Sequence, residues 1–228
     1  MKERNLDKEA QEENSSSQNV KLSILRIIRR GARSGKAELL LSMGSSFFIP
    51  LKMVEQYNLE SGMELSELQV EELKLQSDYI LAKKKALDLL ASREHSVYQL
   101  KQKLLQREFN LQTILKVLEE LQIEGSLSNS RFIENWVSYR IRKHPEGYRS
   151  LFAGLLKAGI SSEQANSYLL LFFEEFDVDE ILYRAAEKMM KKSNITKEKL
   201  IRGLKNRGFE YSAIIRFIDQ KFTGYTQM

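Results

Sequence analysis

The chain has 228 residues, 42% hydrophobic and 29% charged, with two prolines, eleven glycines and no cysteine. That length suits one large domain or several small ones, and the scarcity of chain breakers suits a mostly helical, globular protein. The lack of cysteine excludes disulfides and thiolate metal sites and fits a reducing compartment, while a net charge of +5 permits an anionic partner without requiring one.

Residues 1–19 are polar, carry both charge signs and hold no apolar core, so they are expected to form a disordered tail rather than a signal peptide. The longest unbroken apolar run, residues 168–173, is far too short to cross a bilayer. A cytosolic location without membrane contact is the expectation.

Residues 20–76 read as a strand and helix module. Residues 20–28 alternate and are rich in β-branched side chains, and residues 37–41 and 46–49 look like two further short strands. Pro50 opens a short helix to about Tyr57, where its missing N–H costs nothing, and a turn containing Gly62 leads to a helix from about Leu65. Between the first two strands, Gly31 to Lys36 superficially resembles a phosphate loop. It has one residue too few between its glycines, Ala37 where a magnesium-binding hydroxyl belongs, and a strand rather than a helix behind it. A basic hairpin turn is the better reading.

The rest of the chain repeats itself. With offsets of 51 and then 49 residues, Leu100, Leu151 and Leu200 align, as do Leu104, Leu155 and Leu204. The register continues through Phe109, Ile160 and Phe209, then Ile114, Ala165 and Ile214, then Leu118, Leu169 and Ile218. Upstream it includes Ala86, Val137 and Ala186, then Leu90, Ile141 and Met190. Three repeats of three helices follow, over residues 77–125, 126–176 and 177–228. In the first, Ile80, Leu87, Leu90 and Ala91 are expected on one buried stripe, and Ile114, Leu115, Leu118 and Leu121 face inward from the third helix. Ser96 and Thr196 are the expected N-caps of the second helices. Trp136 and Tyr139, spaced with Phe132 and Ile133, read as core rather than as a base-stacking platform. Short helices stacked in series share apolar faces, so the expected fold is mainly α, an elongated array of three tandem three-helix repeats behind a small β-containing N-terminal module.

Little here suggests catalysis. His95 and His144 are the only histidines, some fifty residues apart, and His95 reads as a surface turn residue. The carboxylates fall on solvent faces with no paired geometry, and neither a metal nor any other cofactor is expected. The basic residues gather around the turn between first and second helices in each repeat. Lys83, Lys84, Lys101, Lys103 and Arg107 do so in the first, and Arg140, Arg142, Lys143 and Arg149 in the second. In the third they are Lys191, Lys192, Arg202, Lys205 and Arg207. They are the candidate contacts for an acidic protein or a nucleic acid.

Residues 86–125, ALDLLASREHSVYQLKQKLLQREFNLQTILKVLEELQIEG, resemble the first repeat of RecX proteins, which typically read A-L-x-L-L-x-x-R-x-x-S-x-x-E-L-x-x-K-L. Ala86, Leu87, Leu90, Arg93, Ser96, Leu100, Lys103 and Leu104 match, and Gln99 stands where the family usually has Glu. The segment LSNSRFIENWVSYR, residues 127–140, is similar to the family's next helix at Leu127, Arg131, Phe132, Val137 and Arg140, with Asn129 in place of an acid. The resemblance implies a non-enzymatic, monomeric regulator that binds the RecA nucleoprotein filament along its groove. It would limit ATP hydrolysis, strand exchange or filament growth during recombination, DNA repair and the SOS response. Direct contact with single- or double-stranded DNA, in the manner of a helix-turn-helix module, is the alternative.

Overall fold

The computed structural model describes residues 21–31, 35–191 and 195–223. The expected tail 1–19, the tip of the glycine-flanked hairpin and Lys192 lie outside them. The chain divides into two compact units. One comprises residues up to 85 together with 108–117; the other comprises 86–107 and everything from 118 onward.

The first unit is built on an antiparallel sheet of order β3-β2-β1-β4, from β1 (Lys21–Arg29), β2 (Lys36–Leu41), β3 (Ser46–Pro50) and β4 (Glu64–Ser66). The three expected strands are present. β4 is an addition, since three residues carry too little alternation to be read as a strand. It pairs with the start of β1, Leu22 opposite Leu65, while on the other side of β1 a bulge between Ile24 and Arg26 shifts the register with β2. Helix α1 (Leu51–Gln56) follows Pro50, as expected. Helix α2 (Glu67–Ser92) runs unbroken for 26 residues. One face of the sheet is covered: Leu22, Ile24, Leu39, Leu41 and Ile49 form a core with Met53 of α1 and Val70 and Leu73 of α2.

The stripe expected on α2 is wrong. Ile80 and Leu87 are about 40% exposed and Ala91 is exposed, whereas Val70, Leu73, Ser77, Ala82 and Ala86 are buried. At about 100° per residue, the first three of these lie roughly opposite the last two around the helix axis. A helix that buries opposite sides along its length presents no single period to read. Leu115, expected inward, is likewise 48% exposed.

Beyond α2 come α3 (Val97–Leu105) and α4 (Leu111–Ile123), then α5 (Asn129–Lys143), α6 (Tyr148–Lys157) and α7 (Ser162–Glu175), then α8 (Val178–Met190), α9 (Lys197–Asn206) and α10 (Tyr211–Thr223). The aligned apolar positions are buried except Leu90, Phe109 and Met190, which are half-buried. Leu100, Leu151 and Leu200, and Leu104, Leu155 and Leu204, are all fully buried, as are Ala86, Val137 and Ala186. Within the second unit a single apolar cluster runs from Phe132 to Ile218, joining α5–α7 to α8–α10. Trp136 packs against it, but Tyr139, expected in the core, is half exposed.

Candidate functional site

The turns that carry the basic residues are the joints between repeats. In the first, Ser96 is extended and its Oγ accepts from the Gln99 N–H at 3.1 Å, capping α3. The same hydroxyl donates to the carbonyl of Ala158 at 2.5 Å, at the end of α6. The Val97 N–H donates to Asn129 Oδ1 at 3.0 Å. Asn129, which stands in place of the acid of the family pattern, thus has its role in the joint. Arg131 completes it, donating from Nε to Glu94 at 2.6 Å and from its other nitrogens to the carbonyls of Gly125 and Ser126 at 2.9 and 3.0 Å.

The second turn repeats this arrangement with different atoms. The Gly147 N–H donates to the Arg207 carbonyl at 2.8 Å, at the end of α9. Offsets of 51 and 49 make Gly147 the counterpart of Ser96, and Arg207 that of Ala158. The next residue in each case, Gly159 or Gly208, has φ near +80°, and a Cβ there would overlap Tyr98 or Ser150 of the preceding repeat. The counterpart in the first repeat, Glu108, holds φ +62° with a side chain.

His95, read as a surface residue, is 1% exposed, with Nδ1 2.9 Å from the Arg93 carbonyl. Burial holds its pKa below the usual imidazole value. Its counterpart in the second turn is Glu146, also buried. Its carboxylate binds the Arg140 guanidinium, with Nε at 3.1 Å, and accepts from Ser150 Oγ at 3.1 Å. Sequence reasoning missed both because a polar residue in a turn ordinarily faces water; only the closure of the next repeat over the turn buries them.

The candidate basic residues separate into two groups. Arg140 is held by Glu146 and lies 5.2 Å over the Trp136 ring. Arg149 forms two bonds to Glu210, at 2.9 and 3.2 Å, bridging the second and third repeats. Lys191 pairs with Glu187 at 3.0 Å, Arg107 donates to the Lys103 carbonyl at 2.6 Å, and Arg207 is half-buried. Lys83 is half-buried as well, and Lys84 is exposed in the first unit. In the second unit Arg142, Lys143, Arg202 and Lys205 are exposed, and Lys101 and Lys103 are half-buried on α3. Two cations not selected from the sequence serve the α5 terminus, where Lys188 Nζ donates to the Arg142 and Lys143 carbonyls at 3.2 Å each and Arg184 reaches that of Ile141. Their signal was a basic pair four residues apart on a helix that packs against a basic one. Among the described residues, no group of three or more His, Asp or Glu could hold a metal, and no helix is long and apolar enough to cross a membrane.

Comparison with known proteins places this geometry. A family model described as "RecX, first three-helix domain" matches residues 82–121. "Regulatory protein RecX" of Pelodictyon phaeoclathratiforme is 34% identical over 134 residues, 57% of this chain and 81% of that protein. The protein of the same name from Streptococcus mutans is 26% identical over 171 residues, and the match spans 65% of its length and 72% of this chain. Among solved structures, a "regulatory protein RecX" superposes with a TM-score of 0.58 at 20% identity, covering 87% of this chain and 99% of that one. RecX from Lactobacillus salivarius gives 0.54 at 20% identity, over 63% and 96% respectively; at such identities these likenesses speak for the fold. The chain belongs to the RecX family of regulatory proteins.

Proposed function

We propose that the chain binds the filament formed by the RecA recombinase on single-stranded DNA, lies along its groove, and restrains ATP hydrolysis, strand exchange and filament growth. It does so as a cytosolic monomer without a cofactor. The observation that supports this reading is the repeated joint: Ser96 to Ala158 and Gly147 to Arg207 occupy equivalent positions, so successive helices present the same side at a fixed interval. A polymer of identical subunits offers matching sites at a fixed interval too. Arg142, Lys143, Arg202, Lys205, Lys101 and Lys103 are the cations we assign to the contact, since Arg140, Arg149 and Lys191 already hold carboxylates within the chain.

The test is the DNA-dependent ATPase of the cognate recombinase, titrated with this protein. Inhibition near stoichiometric amounts is expected, with the Arg142→Glu/Lys143→Glu variant needing on the order of tenfold more protein. An ATPase unmoved by stoichiometric excess would remove the reading. Tight binding to DNA alone, together with an unmoved ATPase, would favour the independent DNA-binding module.

A further inference from the structure

The net charge of the strand module conceals a strong local asymmetry. Residues 21–41, the β1–β2 hairpin, hold six basic side chains against one acidic, as large an excess as that of the entire chain. Strand register sorts the side chains of this hairpin between the two faces of the sheet. Ile27 opposite Leu39, and Ala37 opposite Ile49, point to the covered face, where Leu39, Ala37 and Ile49 are fully buried. The alternate positions therefore form the other face: Arg26 beside Leu40, Ile28 beside Glu38, and Glu38 beside Phe48. Phe48 is 44% exposed at the centre of one edge, and Ile28 and Leu40 are half-buried beside it. The acid is already neutralised, because the Glu38 carboxylate binds Arg30 and accepts from Ser46 Oγ at 3.0 Å, which holds its pKa below the usual carboxylate range. The Lys36 ammonium lies 4.2 Å from the Phe48 ring centroid and Arg26 is exposed on the same face, whereas Arg29, opposite Ala37, belongs to the other side.

From this arrangement we infer that the outer face of the β1–β3 sheet is a binding site for a single nucleic-acid strand. A face of three strands is roughly 10 Å across, wide enough for one strand of bases, with Phe48, Ile28 and Leu40 as an apolar floor and cations at its margins for phosphates. The Lys36 ammonium beside the Phe48 ring is the contact for a phosphate flanking a base stacked there. An acidic peptide would satisfy the cations but leave the ring and aliphatic floor unused. A duplex reader needs an element that enters a groove, which a flat three-stranded face lacks. The site is separate from the helical turns and does not rest on the recombinase reading, so no recombinase enters its test.

The experiment is fluorescence anisotropy of a labelled fifteen-residue oligo-dT with the full chain, across a salt series. The expected outcome is saturable binding that weakens at least tenfold in Arg26→Glu/Lys36→Glu. The slope of log affinity against log salt should become shallower by about 1.4 in that variant, as two lost phosphate contacts on a single strand imply. Phe48→Ala should weaken binding several-fold, with Phe48→Tyr restoring it and thereby excluding a folding defect. Absence of binding by the parent chain would overturn the proposal. So would equal affinity in parent, Arg26→Glu/Lys36→Glu and Phe48→Ala, or competition by polyglutamate as effective as by unlabelled oligo-dT.

Discussion

Gly159, Gly208 and Glu108 hold the same left-handed backbone at equivalent positions, yet only the first two are glycine. Left-handed conformation alone costs a side chain about 1–2 kcal/mol, which the first repeat tolerates at Glu108. At Gly159 and Gly208 a second demand is added, because the preceding repeat's helix leaves no room for a Cβ. Gly208→Ala is therefore expected to cost about 2–4 kcal/mol, strain and overlap together, whereas Glu108→Gly should lie within about 1 kcal/mol of the parent. Urea unfolding of the two variants measures both. His95 adds a pH dependence. Burial favours its neutral form, so the unfolded chain binds the proton more readily than the folded one, and stability rises with pH through the imidazole range. Lowering the pH through the ordinary histidine value should destabilise the parent, the loss levelling off below the depressed folded value. His95→Gln should show a shallower stability profile over that interval; an unchanged slope would assign the dependence to other groups.

At the scale of elements, the N-caps were readable because Ser96 and Thr196 each stand immediately before an apolar-periodic run, and both accept from the N–H three residues on. Their weights differ for a reason the sequence does not carry. Thr196 is exposed and its bond is 3.4 Å, whereas Ser96 is fully buried and also donates to Ala158. Ser96→Ala leaves a buried carbonyl and a helix terminus both unpaired, for about 2–3 kcal/mol, against about 0.5–1 kcal/mol for Thr196→Ala. A similar loss for the two would mean that the joint adds nothing to the cap. The strand module shows the same division. β1 to β3 were legible from alternation, while the outward, basic face of their sheet required the register that only pairing supplies. On α2 the periodicity failed outright, since Val70 and Ala86 are buried from opposite sides.

At the scale of the molecule, the decisive pattern was the interval between repeats rather than any local signal. Seven apolar positions recur in three copies, and the fully buried ones are those whose counterparts are also buried, Leu100 with Leu151 and Leu200 foremost. The alignment could identify equivalent residues but not the partners of each, so the joints through Ala158 and Arg207 were invisible to it; both acceptors are backbone carbonyls, which no side chain announces. The joint through Arg207, with the apolar cluster running from Phe132 to Ile218, binds α5–α7 and α8–α10 into one cooperative body rather than two beads on a chain. Leu200 tests this, being fully buried in the last repeat. Leu200→Ala should cost about 2–5 kcal/mol from lost contact and the cavity left behind. If the two repeats share one core, hydrogen exchange must accelerate in α5, more than fifty residues upstream, by the same factor as in α9. If each repeat stood on its own core, α9 and α10 would lose protection while the amides of residues 129–143 kept theirs, and the regular presentation on which the filament reading depends would lose its rigid support.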